Sequence, residues 1–185
     1  MHKTAVPLLF LLFLACSVSG AASGSPESDY HRANELFSSQ NFTQALALYQ
    51  RALSLPPSCV SAGDIHARIG DSHFRLGSFA PALAAFREAD MDPRTSDRAR
   101  VQYWIGFCCF LNGRDAEAVQ ELLKVPKQYP KSGMWVSTAY YWAGKASERM
   151  GRKDLAAEYY KKAAGNGKSS QGKFAMKKAE AAKGK

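Results

Sequence analysis

Apolar residues recur through most of this chain at intervals of three and four, the period of helices that each bury one stripe. The stripes come in pairs. Their limits predict helices near 28–39 and 42–55, 61–76 and 79–91, 96–112 and 115–128, and 133–150 and 153–165. The break inside each pair falls at Gln40, Gly77, Gly113 and Gly151. Glycine at such a break ends the first helix by adopting positive φ. The first three pairs close with Pro57, Pro93 and Pro130, and proline cannot continue a helix. Ser61 with Asp64 has the spacing of a capping box. A thinner stripe of Phe174, Ala175, Ala179 and Ala182 predicts a ninth, weaker helix over 169–182 that covers the last pair.

The pairs are copies of one another. A small residue is followed twelve positions later by alanine: Ala33 and Ala45, Gly70 and Ala82, Gly106 and Ala118, Gly144 and Ala156. Four positions after each alanine stands a large side chain, Tyr49, Phe86, Leu122 or Tyr160. Antiparallel helices approach closely only where side chains are small, and the large residue fills the hole beside the contact. The arrangement predicts an all-α chain of stacked hairpins.

This pattern, with small residue, alanine and large residue in register four times over and proline closing the first three copies, resembles the tetratricopeptide repeat (TPR) family. The resemblance covers about residues 27–166. It implies a right-handed superhelical solenoid of four helix-turn-helix repeats, at 28–57, 61–93, 96–130 and 133–166, with the 169–182 segment as a C-terminal cap. The repeat alanines lie 37, 36 and 38 residues apart rather than the 34 of the family, so the extra residues fall in the loops between repeats. Tyr129-Pro130-Lys131-Ser132, Tyr140-Tyr141-Trp142-Ala143-Gly144 and Tyr103-Trp104-Ile105-Gly106 are similar to segments of a bacterial periplasmic subset, which includes TolA-binding coordinators and the Bam assembly lipoprotein.

The resemblance also implies a concave binding face made by the first helix of each repeat. Its inward positions correspond to Tyr30, Asn34, Phe37 and Ser38; Ala67, Asp71, Phe74 and Arg75; Tyr103, Phe107, Phe110 and Leu111; and Tyr141, Lys145, Glu148 and Arg149. Seven of these sixteen are aromatic, so the face suits apolar anchors of a peptide, with Arg75, Lys145 and Arg149 to hold carboxylates. The competing reading makes the aromatics core between repeats, above all Tyr103, Phe107 and Phe110.

Charge changes this picture little. The chain carries a formal net charge of +9, but eight lysines and one acid lie from Lys161 onward. The repeats are nearly neutral, which argues against nucleic acid as partner and makes the basicity a property of the tail at 167–185. The start does change the picture. A basic Met1-His2-Lys3 and the apolar run Ala5 to Ala15 read as an export signal over 1–15. Leu12 to Cys16 resembles a lipobox, in which Cys16 would be acylated and lead a tether over 16–27. Cleavage near 20–22 is the alternative. The resulting expectation is a periplasmic protein anchored to the outer membrane, or else a soluble periplasmic or secreted one.

Chemistry beyond binding is not signalled. No C-x-x-C, H-E-x-x-H, G-x-S-x-G, P-loop or dinucleotide fingerprint occurs. Cys108 and Cys109 read as small packing residues, and His66 and His73 as packing histidines. The sequence therefore predicts a non-enzymatic scaffold without metal, cofactor or small-molecule substrate. Its partner would be another envelope protein or peptide; alternatively it is an accessory subunit that positions an enzyme in a cell-wall or export machine.

Overall fold

The structure, a computed structural model, describes residues 24–55, 59–165, 174–175, 177–178 and 180–181. Cys16, the export segment, Pro57 and residues 166–173 of the tail lie outside the described residues. Among residues 24–165 that are described, eight helices follow one another: α1 Pro26–Ser38, α2 Phe42–Ser54, α3 Ala62–Arg75, α4 Phe79–Met91, α5 Arg98–Leu111, α6 Asp115–Gln128, α7 Gly133–Arg149 and α8 Lys153–Ala164. Each packs on the next, and α5 also touches α7. The described residues contain no strand. The architecture is the expected all-α stack of helical hairpins.

The observed limits lie within two residues of the predicted ones, and local hydrogen bonds set them. α1 starts two residues early because Ser25 caps it, its Oγ accepting from Ser28 N–H at 3.2 Å, and Pro26 tolerates the first helical position. α5 starts late, at Arg98, because the Asp97 carboxylate accepts from Arg100 N–H at 3.0 Å. The capping box at α3 forms only by half. Ser61 Oγ accepts from Asp64 N–H at 2.9 Å, but the Asp64 carboxylate turns away to the Ser96 N–H and hydroxyl, at 2.9 and 2.8 Å. It ties repeat two to repeat three. Pro93 and Pro130 stand two residues past the ends of α4 and α6, whereas Pro126 sits inside the last turn of α6, which ends two residues later.

The small-to-large pairing holds the hairpins. A Cβ added at Gly70 would lie 2.8 Å from the Phe86 ring, and one at Gly144 would lie 2.7 Å from Tyr160. At Gly106 it would meet Leu122 Cγ at 2.6 Å and the Leu122 backbone nitrogen at 2.8 Å. Ala33, Ala45, Tyr49, Ala82, Phe86, Ala118, Leu122, Ala156 and Tyr160 are all fully buried. Cys108 and Cys109 join this core as free thiols, and burial pushes them up to about 12 and about 11. Cys59 is free and exposed.

At the two ends, other devices replace the missing neighbour. Asp29, in the first turn of α1, is 2% exposed and forms a two-pronged pair with Arg51 of α2, one prong at 2.6 Å. At the far end Phe174 and Ala175 are helical, and Ala175 is fully buried against Ala163, Ala164, Tyr140 and Tyr141. The predicted capping helix is present to that extent; Ala179 and Ala182 fall outside the described residues.

Candidate partner-binding groove

The first helices α1, α3, α5 and α7 carry the positions named for the inner face, and the structure divides them into two kinds of surface. Over repeats three and four the face is an aromatic seam. Phe107 lies 4.4 Å from Trp142 and stacks on Tyr103 and Phe110 at 5.8 and 6.4 Å. Phe74 reaches the seam from repeat two, 4.6 Å from Trp104 and 5.9 Å from Phe107. Phe74, Phe107 and Phe110 remain partly exposed.

Four expected groove residues serve the fold. Tyr103 is only 5% exposed and packs against Trp135 at 5.2 Å, so it belongs to the core, as does Ala67. Tyr141 is flanked by Tyr160 at 5.7 Å and by Phe174 of the cap at 5.9 Å. Arg149 is committed: it pairs with Asp115, donates to the Phe110 carbonyl at 2.6 Å, and stacks 4.0 Å above the Phe110 ring. It clamps α7 to the preceding repeat instead of awaiting a carboxylate. Lys145 reaches Glu148 at 3.4 Å. Glu148 in turn accepts from the Tyr160 hydroxyl, which holds its carboxyl below the usual range.

Over repeats one and two the face is polar and open. One cleft of about 550 Å³ is lined by Phe37, Ser38, Gln40, Phe42, Arg68 and Arg75. Phe37 and Phe42 meet edge to face at 5.2 Å, and the Arg68 guanidinium lies 5.9 Å from the Phe37 ring centre. A second cleft of about 330 Å³ is lined by Tyr30, Asp64, Arg68, Ser96, Asp97 and Arg100, with Arg68 shared between the two. Asp71 lies beneath. Burial pushes its carboxyl up, while Arg100, at 2.9 and 3.0 Å, and Arg68, at 3.9 Å, pull it back. Asn34 accepts from the Tyr49 hydroxyl at 2.7 Å and Tyr30 lies 5.8 Å from the same ring, so both lean on the core while facing the groove.

Arg68, Trp104 and Trp142 are not among the groove positions expected from sequence. All three stand two positions before the small repeat residue, a register that was legible once Gly70, Gly106 and Gly144 were aligned. Arg100 and Phe42 had no such signal. Among the described residues, no three His, Cys, Asp or Glu side chains converge as metal ligands would. No described helix is long and apolar enough to cross a membrane.

Sequential helical hairpins with one open, aromatic and arginine-bearing face define a helical-repeat solenoid. The chain belongs to the tetratricopeptide repeat family: sequence models of the tetratricopeptide repeat match residues 30–95, 68–133 and 137–165. Solved structures agree on the fold. YrrB, a TPR protein with an unusual peptide-binding site, is 20% identical, with a TM-score of 0.69 over 89% of this chain and 77% of its own. MamA is 19% identical, with a TM-score of 0.63 over 82% of this chain and 94% of its own. A tetratricopeptide repeat protein from Parabacteroides merdae is 15% identical, with a TM-score of 0.71 over 86% and 60%. No curated protein matches the sequence.

Proposed function

We propose that this protein is a non-enzymatic scaffold of the bacterial cell envelope that holds an extended segment of a partner protein along its inner face. The observation that carries the reading is the division of that face. Two open clefts joined by Arg68 lie beside an aromatic seam whose Phe74, Phe107 and Phe110 keep accessible ring surface. Apolar anchors and charge pairing are what a bound segment needs. Among the structures of like fold, YrrB has a peptide-binding site and a Rap conjugation regulator was solved with the Phr* peptide, which supports a peptide as the bound form.

Placement in the envelope rests on the leader. The basic start, the apolar run of Ala5 to Ala15 and the lipobox-like Cys16 support export with a lipid anchor. Intact-mass spectrometry of the purified mature protein should give a chain beginning at an acylated Cys16. A mass matching a start near 20–22 would replace the lipoprotein by a soluble exported form, and an unprocessed Met1 would remove the envelope placement.

A photo-crosslinking residue placed at Ser38 on the inner face should capture a discrete partner in the native host. The same residue at Glu88, exposed on a second helix, should not. Equal capture from both positions would end the groove reading.

A further inference from the structure

The four hairpin turns share one backbone conformation but not one residue. At the same point of each, φ is positive: +62° at Gln40, +73° at Gly77, +76° at Gly113 and +74° at Gly151. An L residue is disfavoured in this region and glycine is not. A Cβ at any of the three glycines would meet nothing within 4 Å, so backbone conformation alone accounts for glycine there. The first turn needs the same conformation and carries glutamine. The fold does not ask for a side chain at this point, since three of four repeats dispense with one. Strain kept at one copy of a repeated feature points to a use for that side chain.

Gln40 lines the 550 Å³ cleft with Phe37, Ser38, Phe42, Arg68 and Arg75. Among the described residues, no acidic side chain lines it. Arg75 is exposed and makes no ion pair among the described residues. Arg68, its side chain 40% exposed, is hydrogen-bonded to Tyr30 and lies 3.9 Å from Asp71, which Arg100 already holds. The cleft therefore presents two guanidinium groups, neither with a carboxylate to itself because Arg68, Arg75 and Arg100 all act on the one Asp71, together with a primary amide that both donates and accepts and the edge-to-face pair of Phe37 and Phe42. The lysine-rich end of the chain is the wrong charge to occupy it.

We propose that this cleft is the specificity pocket of the groove. It takes an acidic, apolar-flanked peptide segment, whose carboxylate pairs with Arg68 and Arg75, whose backbone amide bonds to Gln40, and whose apolar side chain lies on Phe37 and Phe42. This rests on the groove reading and names the class of segment that the groove selects.

The test is a random twelve-residue peptide display library panned against the purified full-length protein. Enriched peptides should carry Asp or Glu beside an aromatic or aliphatic residue. Their affinity should fall roughly tenfold when one charged contact is lost in Arg75→Glu, and fall as salt is raised. Synthesis of one enriched peptide with a free and with an amidated C-terminus separates the two carboxylate sources. Equal affinity assigns the contact to a side chain, and loss on amidation assigns it to the chain terminus. Gln40→Gly is the decisive variant. It should raise Tm, by relieving the positive φ, and at the same time weaken the peptide severalfold. Unchanged affinity in Gln40→Gly, or enrichment of basic peptides, overturns the proposal. Peptides that bind but respond only to Phe110→Ala would overturn the pocket and leave the groove reading standing. A library with no enrichment, together with no capture at Ser38, would remove both.

Discussion

At Gly106 the hairpin of repeat three has no room for a side chain. A Cβ there would crowd both the Leu122 side chain and its backbone nitrogen, so repacking alone cannot absorb it. Gly106→Leu should cost about 3 kcal/mol, the upper end for overpacking, and lower Tm by roughly 6–12 °C for a chain of this size. An unchanged melt would show that α5 and α6 do not pack as described. Asp29 poses the opposite problem, a carboxylate that only Arg51 makes tolerable. Arg51→Ala should destabilise by about 2 kcal/mol, less than for a fully buried pair because the guanidinium is half exposed. Chemical denaturation of the variant measures it, and a change within a few tenths would mean that solvent already satisfies Asp29.

Between elements, α3 carries two half-buried histidines, His66 and His73. Burial lowers both below their usual 6.5, and at His66 the charges of Glu88 and Asp92 oppose the shift. The unfolded chain therefore binds more protons than the fold just below pH 6.5, and stability falls as pH drops through that value. Asp29 adds a second loss at lower pH, because hydrogen bonding to Arg51 holds its carboxyl below the usual 3.8. Its contribution is present above 3.8 and disappears as pH falls through the folded value. Denaturation between pH 5 and 8 should show the first loss, and His66→Gln with His73→Gln should flatten it. A wild-type profile flat over that range would contradict the burial of both rings. The partition of α5 and α7 shows how much of the site the sequence carried. The register of Phe107 and Phe110 was legible, because i, i+3 and i+4 spacing fixes a helix face. That Tyr103 on the same face is core was not, because Trp135 covers it from 32 positions further along the chain. Arg149 read as a free cation for a like reason: its partner Asp115 belongs to another repeat.

The whole molecule is a stack, and a stack is weakest where it stops. Ala175 and Phe174 cover Tyr141, Tyr140 and the end of α8. Deleting residues 167–185 should expose that face, lower Tm and remove hydrogen-exchange protection from α7 and α8 first. Equal protection in all four repeats after the deletion would show that the cap is dispensable. The same deletion removes most of the positive charge, so loss of salt-sensitive sedimentation with membranes would assign the tail a surface-binding role as well.

The sequence by itself determined the number of repeats, their hairpin pairing and the family. Each of those depends on complementary sizes a fixed number of residues apart, and Gly70 with Phe86 or Gly144 with Tyr160 can be read from spacing alone. Only the tertiary structure decided which aromatics stay open, which cations are already paired, and that Gln40 occupies a glycine's conformation at the mouth of a cleft. Those outcomes depend on how one repeat is rotated against the next. That rotation arises from many weak contacts between distant residues, and no single interval in the sequence encodes it.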